Sequence, residues 1–390
     1  MTRAPIGMAD LVAQHRPLRA ELAAAFERVL DSGRFILGPE VECFEREVAT
    51  SIGAGHAVGV SNGSDALLLA LQALGVGPGD EVITTPFSFF ATASAIVRAG
   101  ARPVFVDIDG ATFNLDVARV QQAVTPRTRA VIVVHLFGQP ADLPALRALC
   151  DAAGLALVED AAQAIGSSCA GVSVGTWGDI GCFSLFPAKN LGALGDAGLL
   201  TTAHPELAQR LRALRVHGAK VKYHHEEVGG NYRLDALQAA LLRVKLPHLP
   251  HYNRRRAAHA AQYERLFSAA GLPADLLTPP VVRAQGHVYN QYTVRTPYRD
   301  ALQRHLIDVQ IGCEIYYPLP LHLQPCFAGL GYRRGDFPCA ERAAGEVLSL
   351  PVHAELTAQD LSRVVMEVVH CLRKCAGNPA GALNRDGEYP

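Results

Sequence analysis

Lys189 is the residue of this chain whose surroundings most suggest chemistry, and it lies in the segment FSLFPAKNLGALGDAG, residues 183–198. Aromatic and apolar residues precede this lysine, and no acidic residue follows it before Asp196. The pattern predicts a desolvated pocket, where burial lowers the pKa of the ammonium group and frees the amine for Schiff-base formation. An ordinary lysine at a helix start, with its stem on apolar surface, stays open as the alternative.

Asp160 lies twenty-nine residues before Lys189 and follows a short apolar strand pattern over residues 155–158. Open α/β sheets bind ligands at the carboxyl ends of their strands, although Asp160 could also simply cap the following helix. Pyridoxal phosphate needs both residue types, because a lysine forms the Schiff base and a carboxylate keeps the ring nitrogen protonated. The two residues together therefore predict a pyridoxal phosphate site.

A third group of candidates is the segment Ser61-Asn62-Gly63-Ser64-Asp65, which precedes an apolar helical pattern. Small residues allow the backbone to approach an anion, and the free N–H groups of a helix start favour a phosphate. Ser64 or Asp65 could instead do no more than cap this helix.

The elements that must position these residues alternate between strand and helix patterns from about residue 50 to 245. Strands are predicted at 81–85, 103–108, 130–137 and 155–159, with helices between them at 64–74 and 143–154. Such alternation predicts an α/β fold whose mainly parallel sheet is covered by helices on both faces.

The chain is expected to form two domains, because 390 residues are too many for one ordinary domain. Prolines at 247 and 250 interrupt the helical pattern and place the boundary there. We expect a large cofactor domain over residues 1–250, with the segment 1–45 possibly packing on the small domain. A smaller α/β domain over 251–375 and a loose tail over 376–390 complete the expectation.

Composition excludes several classes of function. The formal net charge is −1 and the longest basic run is Arg254–Arg256, so we expect neither nucleic acid nor a membrane as partner. Nine cysteines without a C-x-x-C pair argue against a disulfide scaffold or a structural zinc site, and we predict no metal. The start of the sequence lacks the apolar core of a signal peptide, and a cytoplasmic protein is expected.

The amino-acid sequences of the motifs resemble those of the DegT/DnrJ/EryC1/StrS family of sugar aminotransferases, which have the aspartate-aminotransferase type of fold. The resemblance runs from about residue 8 to 372. It is carried by EDAAQAIG and the Lys189 segment, and by DSGRFILGPEVECFEREVA (31–49), VSNGSDALLLALQALGVGPGDEVITTPFSFFATASAI (60–96), VHLFGQPADLPAL (134–146), GGNYRLDALQAALLRVKL (229–246) and EIYYPLPLHLQPCF (314–327). It implies pyridoxal 5'-phosphate as cofactor.

The resemblance also implies roles for individual residues. Gly63 and Ser64 would donate to the cofactor phosphate, as would Ser184, while Lys189 and Asp160 would be catalytic. Phe90 would cover the ring, Phe89 being the other possible choice. The amide of Gln163 would meet the phenolic oxygen of the cofactor.

The family further implies that Asn231 reaches the cofactor phosphate of a neighbouring subunit, so that a homodimer shares its active sites. Arg233, Tyr317 and His322 would contact the substrate, with His322 equally open to a structural role. The implied reaction moves an amino group from L-glutamate to the keto group of a nucleotide-linked keto-sugar.

Three alternatives remain at the level of sequence. Relatives that remove a sugar hydroxyl carry histidine in place of the lysine, which this chain keeps as Lys189. A nicotinamide-dependent dehydrogenase would need a G-x-G-x-x-G segment between a strand and a helix, and the chain has none. A catalytically silent binding protein on the same fold is the third alternative.

Overall fold

The protein is described from a computed structural model, which covers residues 4–283 and 286–377. The α-helices of these residues are α1 Leu11–His15, α2 Arg19–Ser32, α3 Pro39–Ile52, α4 Gly63–Ala73, α5 Phe90–Arg98, α6 Val117–Ala123, α7 Leu143–Ala153, α8 Pro205–Leu214, α9 Ala236–Lys245, α10 Leu249–Ala270, α11 Arg299–Asp308, α12 Pro338–Glu346 and α13 Ala358–Gly377. The strands are β1 His56–Val60, β2 Glu81–Thr84, β3 Arg102–Phe105, β4 Thr128–Val134, β5 Ala156–Asp160, β6 Ser168–Cys169, β7 Val172–Ser173, β8 Ile180–Ser184, β9 Gly198–Thr202, β10 Ala219–Val221, β11 His224–His225, β12 Tyr292–Arg295 and β13 Val347–Leu350.

A seven-stranded sheet in the order β1-β9-β8-β5-β4-β2-β3 forms the centre of the fold. The pairs from β8 to β3 are parallel, whereas β9 runs antiparallel to both of its neighbours. The predicted mainly parallel sheet is therefore confirmed, and each of the four predicted strands overlaps an observed one.

Helices cover both faces of this sheet, as the alternation of strands and helices predicts. Along β4, Ala130 and Ile132 join one hydrophobic cluster while Val131 and Val133 join another, because successive side chains of a strand point to opposite faces. The first cluster includes residues of α4 and α5, and the second includes residues of α3, α7 and α9. A sheet buried on both faces needs the continuous apolar strands that the sequence shows.

Local signals fix where these helices begin and end. The carboxylate of Asp142 accepts from the backbone N–H of Ala145 and so caps the start of α7. Gly154 ends the same helix with a φ of 64°, a left-handed conformation that glycine adopts without strain. The observed helix therefore begins at the predicted residue 143 and ends one residue before the predicted end at 154.

A third hydrophobic cluster, separate from the two that flank the sheet, lies largely in the chain after residue 250. It joins α10, α11 and α13 with the two-stranded sheet of β12 and β13, and Tyr263 and Tyr292 are its largest fully buried side chains. Ile6 also joins this cluster and bridges Ile311. The helical pattern breaks at Leu246–His248, a short 3-10 turn between α9 and α10, where the two prolines predict an interruption.

The predicted tail at 376–390 starts inside α13, whose last residue is Gly377, and the rest of it lies outside the described residues. Within the described parts of the chain, no helix has the length and apolar character needed to cross a membrane.

Candidate active site

Lys189 lies on the loop between β8 and β9, at the carboxyl end of β8. Its backbone N–H donates to the carbonyl of Phe186 at 2.8 Å. Three residues later, the Cα of Gly192 packs so closely on the Pro187 carbonyl that a larger residue there would clash. The side-chain ammonium of Lys245, at the end of α9, donates to the Gly192 carbonyl and so holds the loop against this helix.

Burial lowers the pKa of Lys189 to about 8, with the charge of Asp160 acting in the opposite direction. The side chain is partly buried rather than free in solvent. A lysine of this kind carries far more neutral amine near pH 7 than an exposed one does. The burial of Lys189 and its lowered pKa therefore agree with the predicted desolvation, while its role in forming a Schiff base stays a prediction.

Asp160 is the last residue of β5 and its side chain is buried. One carboxylate oxygen, Oδ2, accepts from the hydroxyl of Thr92 at 2.7 Å, and Oδ1 accepts from the backbone N–H of Ala162 at 3.3 Å. Burial raises the pKa of this carboxyl, while these two bonds and the charge of Lys189 oppose the rise. A cation placed beside Oδ1 would favour the ionised form further.

Glu159 precedes Asp160 and has a different, structural role. Its fully buried carboxylate accepts backbone N–H bonds of 2.7–2.8 Å from Gly175, Trp177 and Gly178. His135 Nδ1 accepts from a backbone N–H, so its Nε2 carries the proton and donates to Glu159 at 3.1 Å. The carboxylate is thus saturated by the protein, which leaves Asp160 as the acid that faces the site.

Gln163 has an orientation fixed by its neighbours. Its Oε1 accepts from the backbone N–H of Phe137 at 2.6 Å, and that N–H identifies the acceptor side of the amide. The Nε2 group therefore donates, and one of its hydrogens goes to the hydroxyl of Tyr317 at 3.1 Å. Burial raises the pKa of Tyr317, which was predicted to contact substrate. The nearby charge of Asp160 raises the same pKa further.

The start of α4 faces β8, as an anion site would require. The side chain of Asn62 caps the helix by accepting from the N–H of Asp65 at 2.8 Å, so the cap is neither Ser64 nor Asp65. The first backbone bond of the helix comes from Ala66, which leaves the N–H groups of Gly63 and Ser64 outside the helical pattern.

Ser184, at the end of β8, closes this anion site from the other side. A Cβ added at Gly63 would lie 2.8 Å from the Cβ of Ser184, so only glycine fits. The helix start, with the N–H groups of Gly63 and Ser64 outside its hydrogen-bond pattern, thus lies beside the hydroxyl of Ser184, and this is a set of donors suited to a phosphate.

Two adjacent aromatic residues differ in what they contact. Phe90 stacks on Phe327 with ring centroids 5.5 Å apart, so one of its faces is covered by protein. Phe89 is 58 % exposed and lies 6.2 Å from the ring of Tyr317, on the side of Gln163. The contacts therefore favour Phe89 over the predicted Phe90 as the ring that faces the site.

His322 requires a correction, since the structure gives it a structural position. Its side chain is fully buried and its Nε2 lies 3.0 Å from the carboxylate of Glu341. The ring packs edge-on against Phe337 at 4.7 Å, and burial lowers its pKa. A side chain enclosed in this way has no surface with which to touch a substrate.

Asn231 and Arg233 follow the short β10–β11 hairpin. Asn231 is exposed and forms a backbone bridge with Val216. Arg233 bridges Val60 just before the start of α4, and its buried Nε has no partner among the described residues. The structure thus brings Arg233 near the anion site and leaves Asn231 on the surface.

The residues described so far fit pyridoxal phosphate. A partly buried lysine of low pKa, a buried carboxylate with one oxygen open and a glycine-lined anion cradle lie at the carboxyl ends of neighbouring strands. Sequence reasoning missed Thr92, although the residue lies in the segment 60–96 that carries part of the family resemblance. No group of three or more potential metal ligands occurs within residues 4–283 and 286–377.

Comparison with known proteins gives consistent matches over almost the whole chain. Residues 17–369 match the model of the DegT/DnrJ/EryC1/StrS aminotransferase family. A pleiotropic regulatory protein of Geobacillus stearothermophilus is 50 % identical over 95 % of this chain and 100 % of its own length.

Two further relatives are named as enzymes. A UDP-N-acetyl-3-dehydro-alpha-D-glucosamine 3-aminotransferase of Acidithiobacillus ferrooxidans is 46 % identical over 92 % of this chain and 96 % of its own. A dTDP-3-amino-3,4,6-trideoxy-alpha-D-glucose transaminase of Streptomyces venezuelae is 48 % identical over 91 % and 93 %. The crystal structure of DesV from S. venezuelae superposes with a TM-score of 0.91 at 46 % identity, covering 95 % of this chain and 99 % of that one.

Proposed function

The chain belongs to the DegT/DnrJ/EryC1/StrS aminotransferase family, and from that premise we propose that it transfers an amino group to the keto group of a nucleotide-linked sugar. The observation that carries the proposal is Lys189, whose low-pKa amine stands opposite the buried carboxylate of Asp160. Burial also lowers the pKa of Lys245 to about 8, but the amine of Lys245 donates to the Gly192 carbonyl, whereas Lys189 is close enough to the buried carboxylate of Asp160 for their charges to interact.

Each side chain then has a definite task. Pyridoxal 5'-phosphate, when bound, supplies a carbonyl carbon for capture by an amine and a ring that withdraws electrons. Lys189 provides that amine and afterwards accepts and returns a proton at its Nζ. Asp160 Oδ1 holds the ring nitrogen protonated. Gly63, Ser64 and Ser184 would hold the phosphate at the start of α4.

The remaining neighbours orient the ring. The Nε2 of Gln163 donates one hydrogen to Tyr317, and its second hydrogen would be available to the phenolic oxygen of the cofactor. We propose that Phe89 would cover one face of the cofactor ring, because this side chain is open towards the site and Phe90 stacks on Phe327. Tyr317 then lies where an incoming substrate would meet Lys189.

We propose that the active enzyme is a homodimer and that L-glutamate is the amino donor, as the family resemblance implies. The exposed position of Asn231 supports the first part, because this side chain is free to extend towards another subunit. Arg233, whose buried Nε has no hydrogen-bond partner within the described part of the chain, is proposed to bind an anionic group of the cofactor or the substrate.

The position of amination is proposed to be C3 of the sugar. The two relatives named as enzymes carry different nucleotides, UDP and dTDP, yet both names specify an amino group at C3. Their identities to this chain, 46 % and 48 %, are nearly equal. The shared feature is therefore the carbon rather than the nucleotide.

The test runs the reaction in reverse, where the substrates are stable. Purified protein with pyridoxal phosphate is mixed with 2-oxoglutarate and a UDP- or dTDP-linked 3-amino sugar, and the L-glutamate formed is measured. The matched 4-amino isomers and the Lys189→Ala variant serve as controls. Glutamate from the 3-amino sugars alone is expected. Glutamate only from 4-amino sugars would overturn the choice of carbon, and none from any sugar would overturn the function.

A further inference from the structure

Two buried hydroxyl groups stand behind Asp160, and neither belongs to the site as described above. Thr92 lies in the first turn of α5, is fully buried, and has its Oγ1 2.7 Å from Asp160 Oδ2. Ser88, 3 % exposed, has its Oγ 2.9 Å from the Oγ1 of Thr92. The three side chains form a continuous chain of hydrogen bonds that ends on the carboxylate.

The direction of this chain follows from the chemistry of its members. An ionised carboxylate can only accept, so the single hydroxyl hydrogen of Thr92 must point to Asp160. With that hydrogen used, Thr92 can only accept from Ser88, which is therefore the donor of the outer bond. Hydrogen bonds that run in one direction polarise each other and strengthen the last bond, here the one to the carboxylate.

We propose that Thr92, supported by Ser88, is a positioning residue that keeps Asp160 ionised and turns its Oδ1 towards the ring nitrogen of the cofactor. The two oxygens of the carboxylate differ in the way this requires. Oδ2 is held by a short charge-assisted bond, whereas Oδ1 has only the long bond from Ala162 and keeps an acceptor position open. The inference rests on the proposed function.

The need for such support comes from the position of Asp160. Burial disfavours the charged carboxylate, and the groups that face it are Lys189, His135, Cys182, Tyr317 and Thr92. The help that Lys189 gives to the carboxylate depends on whether its nitrogen is protonated, and therefore on pH. The hydroxyl of Thr92 remains, because it does not titrate in the working range.

Thr92 also connects the carboxylate to the aromatic side of the site. Its backbone N–H donates to the carbonyl of Phe89 at 3.2 Å, within the turn that begins α5. The turn that presents the ring of Phe89 therefore also carries the hydroxyl that holds Asp160. One short segment thus sets both the face and the ring-nitrogen side of the cofactor.

The experiment compares Thr92→Val, which keeps the shape and removes the hydroxyl, with Thr92→Ser, which keeps the hydroxyl. Each holoenzyme is titrated with pH while the visible absorption band of the bound cofactor is followed. A ring nitrogen that loses its proton withdraws fewer electrons, so the nitrogen joined to Lys189 keeps its own proton to higher pH. We expect the midpoint to rise in Thr92→Val, by less than the about one to two pH units that a hydrogen bond to a charged group is worth at the carboxylate itself.

Three further variants and readouts make the result decisive. Thr92→Ser is expected to titrate like the wild type, and Ser88→Ala to shift the midpoint less than Thr92→Val, in the same direction. Thr84→Val is the matched control, since its equally buried hydroxyl donates to the carbonyl of Ile132 instead. Its midpoint should stay unchanged. In Thr92→Val, kcat should fall while the KM values for both substrates stay unchanged.

The outcomes separate the two proposals. A wild-type protein that binds pyridoxal phosphate without any pH-dependent visible band would overturn the proposed function itself. A wild-type band with identical midpoints in Thr92→Val and wild type would overturn the role of Thr92 alone. If Thr92→Val does not fold, Ser88→Ala decides, and an unshifted midpoint in that variant overturns the inference.

Discussion

The reactivity of Lys189 towards the cofactor should depend on pH in a way that reports its environment. The pKa of Lys189 is lowered from 10.5 to about 8, mainly by burial. At pH 7 this leaves about one side chain in ten as the free amine, against about one in three thousand for an ordinary lysine. The structure therefore predicts about 300-fold more reactive amine at pH 7 than an exposed lysine provides.

The assay mixes the cofactor-free protein with pyridoxal phosphate in amine-free buffers from pH 7 to 10 and follows the visible band in a stopped-flow instrument. The rate should rise with pH up to about 8 and then level off, because the amine is then largely deprotonated. Free lysine acetylated at its α-amino group, measured over the same range, is the matched control. The rate of its side-chain amine should still be rising at pH 10. A protein rate that climbs in parallel with the control would refute the assignment.

Asp160 supplies a second test of the same reasoning. Its negative charge raises the pKa of Lys189 and so opposes the effect of burial. Asp160→Asn removes the charge and keeps the shape, so the rate should level off at a lower pH than in the wild type. A plateau at the same or a higher pH would contradict the effect assigned to the Asp160 charge on this lysine.

Three other predictions concern neighbouring residues. Phe89→Leu should lose cofactor on dialysis faster than Phe90→Leu, because the ring of Phe89 is the one open to the site. Mixing inactive Lys189→Ala chains with Asn231→Ala chains should restore some activity, because a mixed dimer contains one intact site. Lys245→Met should lower the free energy of unfolding in urea by about 1–3 kcal/mol, because a buried carbonyl of the Lys189 loop loses its donor.

Matched comparisons decide each of these predictions. Equal cofactor loss from both phenylalanine variants would contradict the assignment of Phe89. No recovery on mixing, despite demonstrated subunit exchange, would show that Asn231 serves its own chain or none. Lys220→Met removes an exposed lysine paired with Glu226 and should cost well under about 1 kcal/mol. A similar loss from Lys245→Met would contradict its anchoring role.

The sequence predicts the sheet and the principal pair of the site because both depend on local signals. Apolar runs such as residues 130–134 indicate buried strands wherever they occur, and an acid directly after such a run must lie at the edge of the sheet. The strands β1, β8 and β9 were not predicted, since glycines and polar residues interrupt their apolar character. Their place in the sheet depends on pairing between distant segments.

The errors in the site have a similar cause. His322 was expected at the substrate, but its partner Glu341 lies nineteen residues further along the chain and no local pattern joins them. The choice between Phe89 and Phe90 depends on Phe327, which is more than two hundred residues away. Thr92 was not given a role because a threonine in an alanine-rich helix start shows no sign of a carboxylate behind it. Contacts between distant segments decide all three.

The low pKa of Lys189 is itself a cost to the fold, and its sign can be worked out. The unfolded chain binds a proton at Lys189 up to a pKa near 10.5, and the folded protein only up to about 8. Below pH 8 the folded state is therefore less stable by about 3 kcal/mol, and the penalty fades as pH rises to 10.5. The anchoring of the loop by Lys245 and Asn190, whose amide donates to Asn253 at 2.7 Å, explains how the cofactor-free protein keeps a destabilising lysine in place.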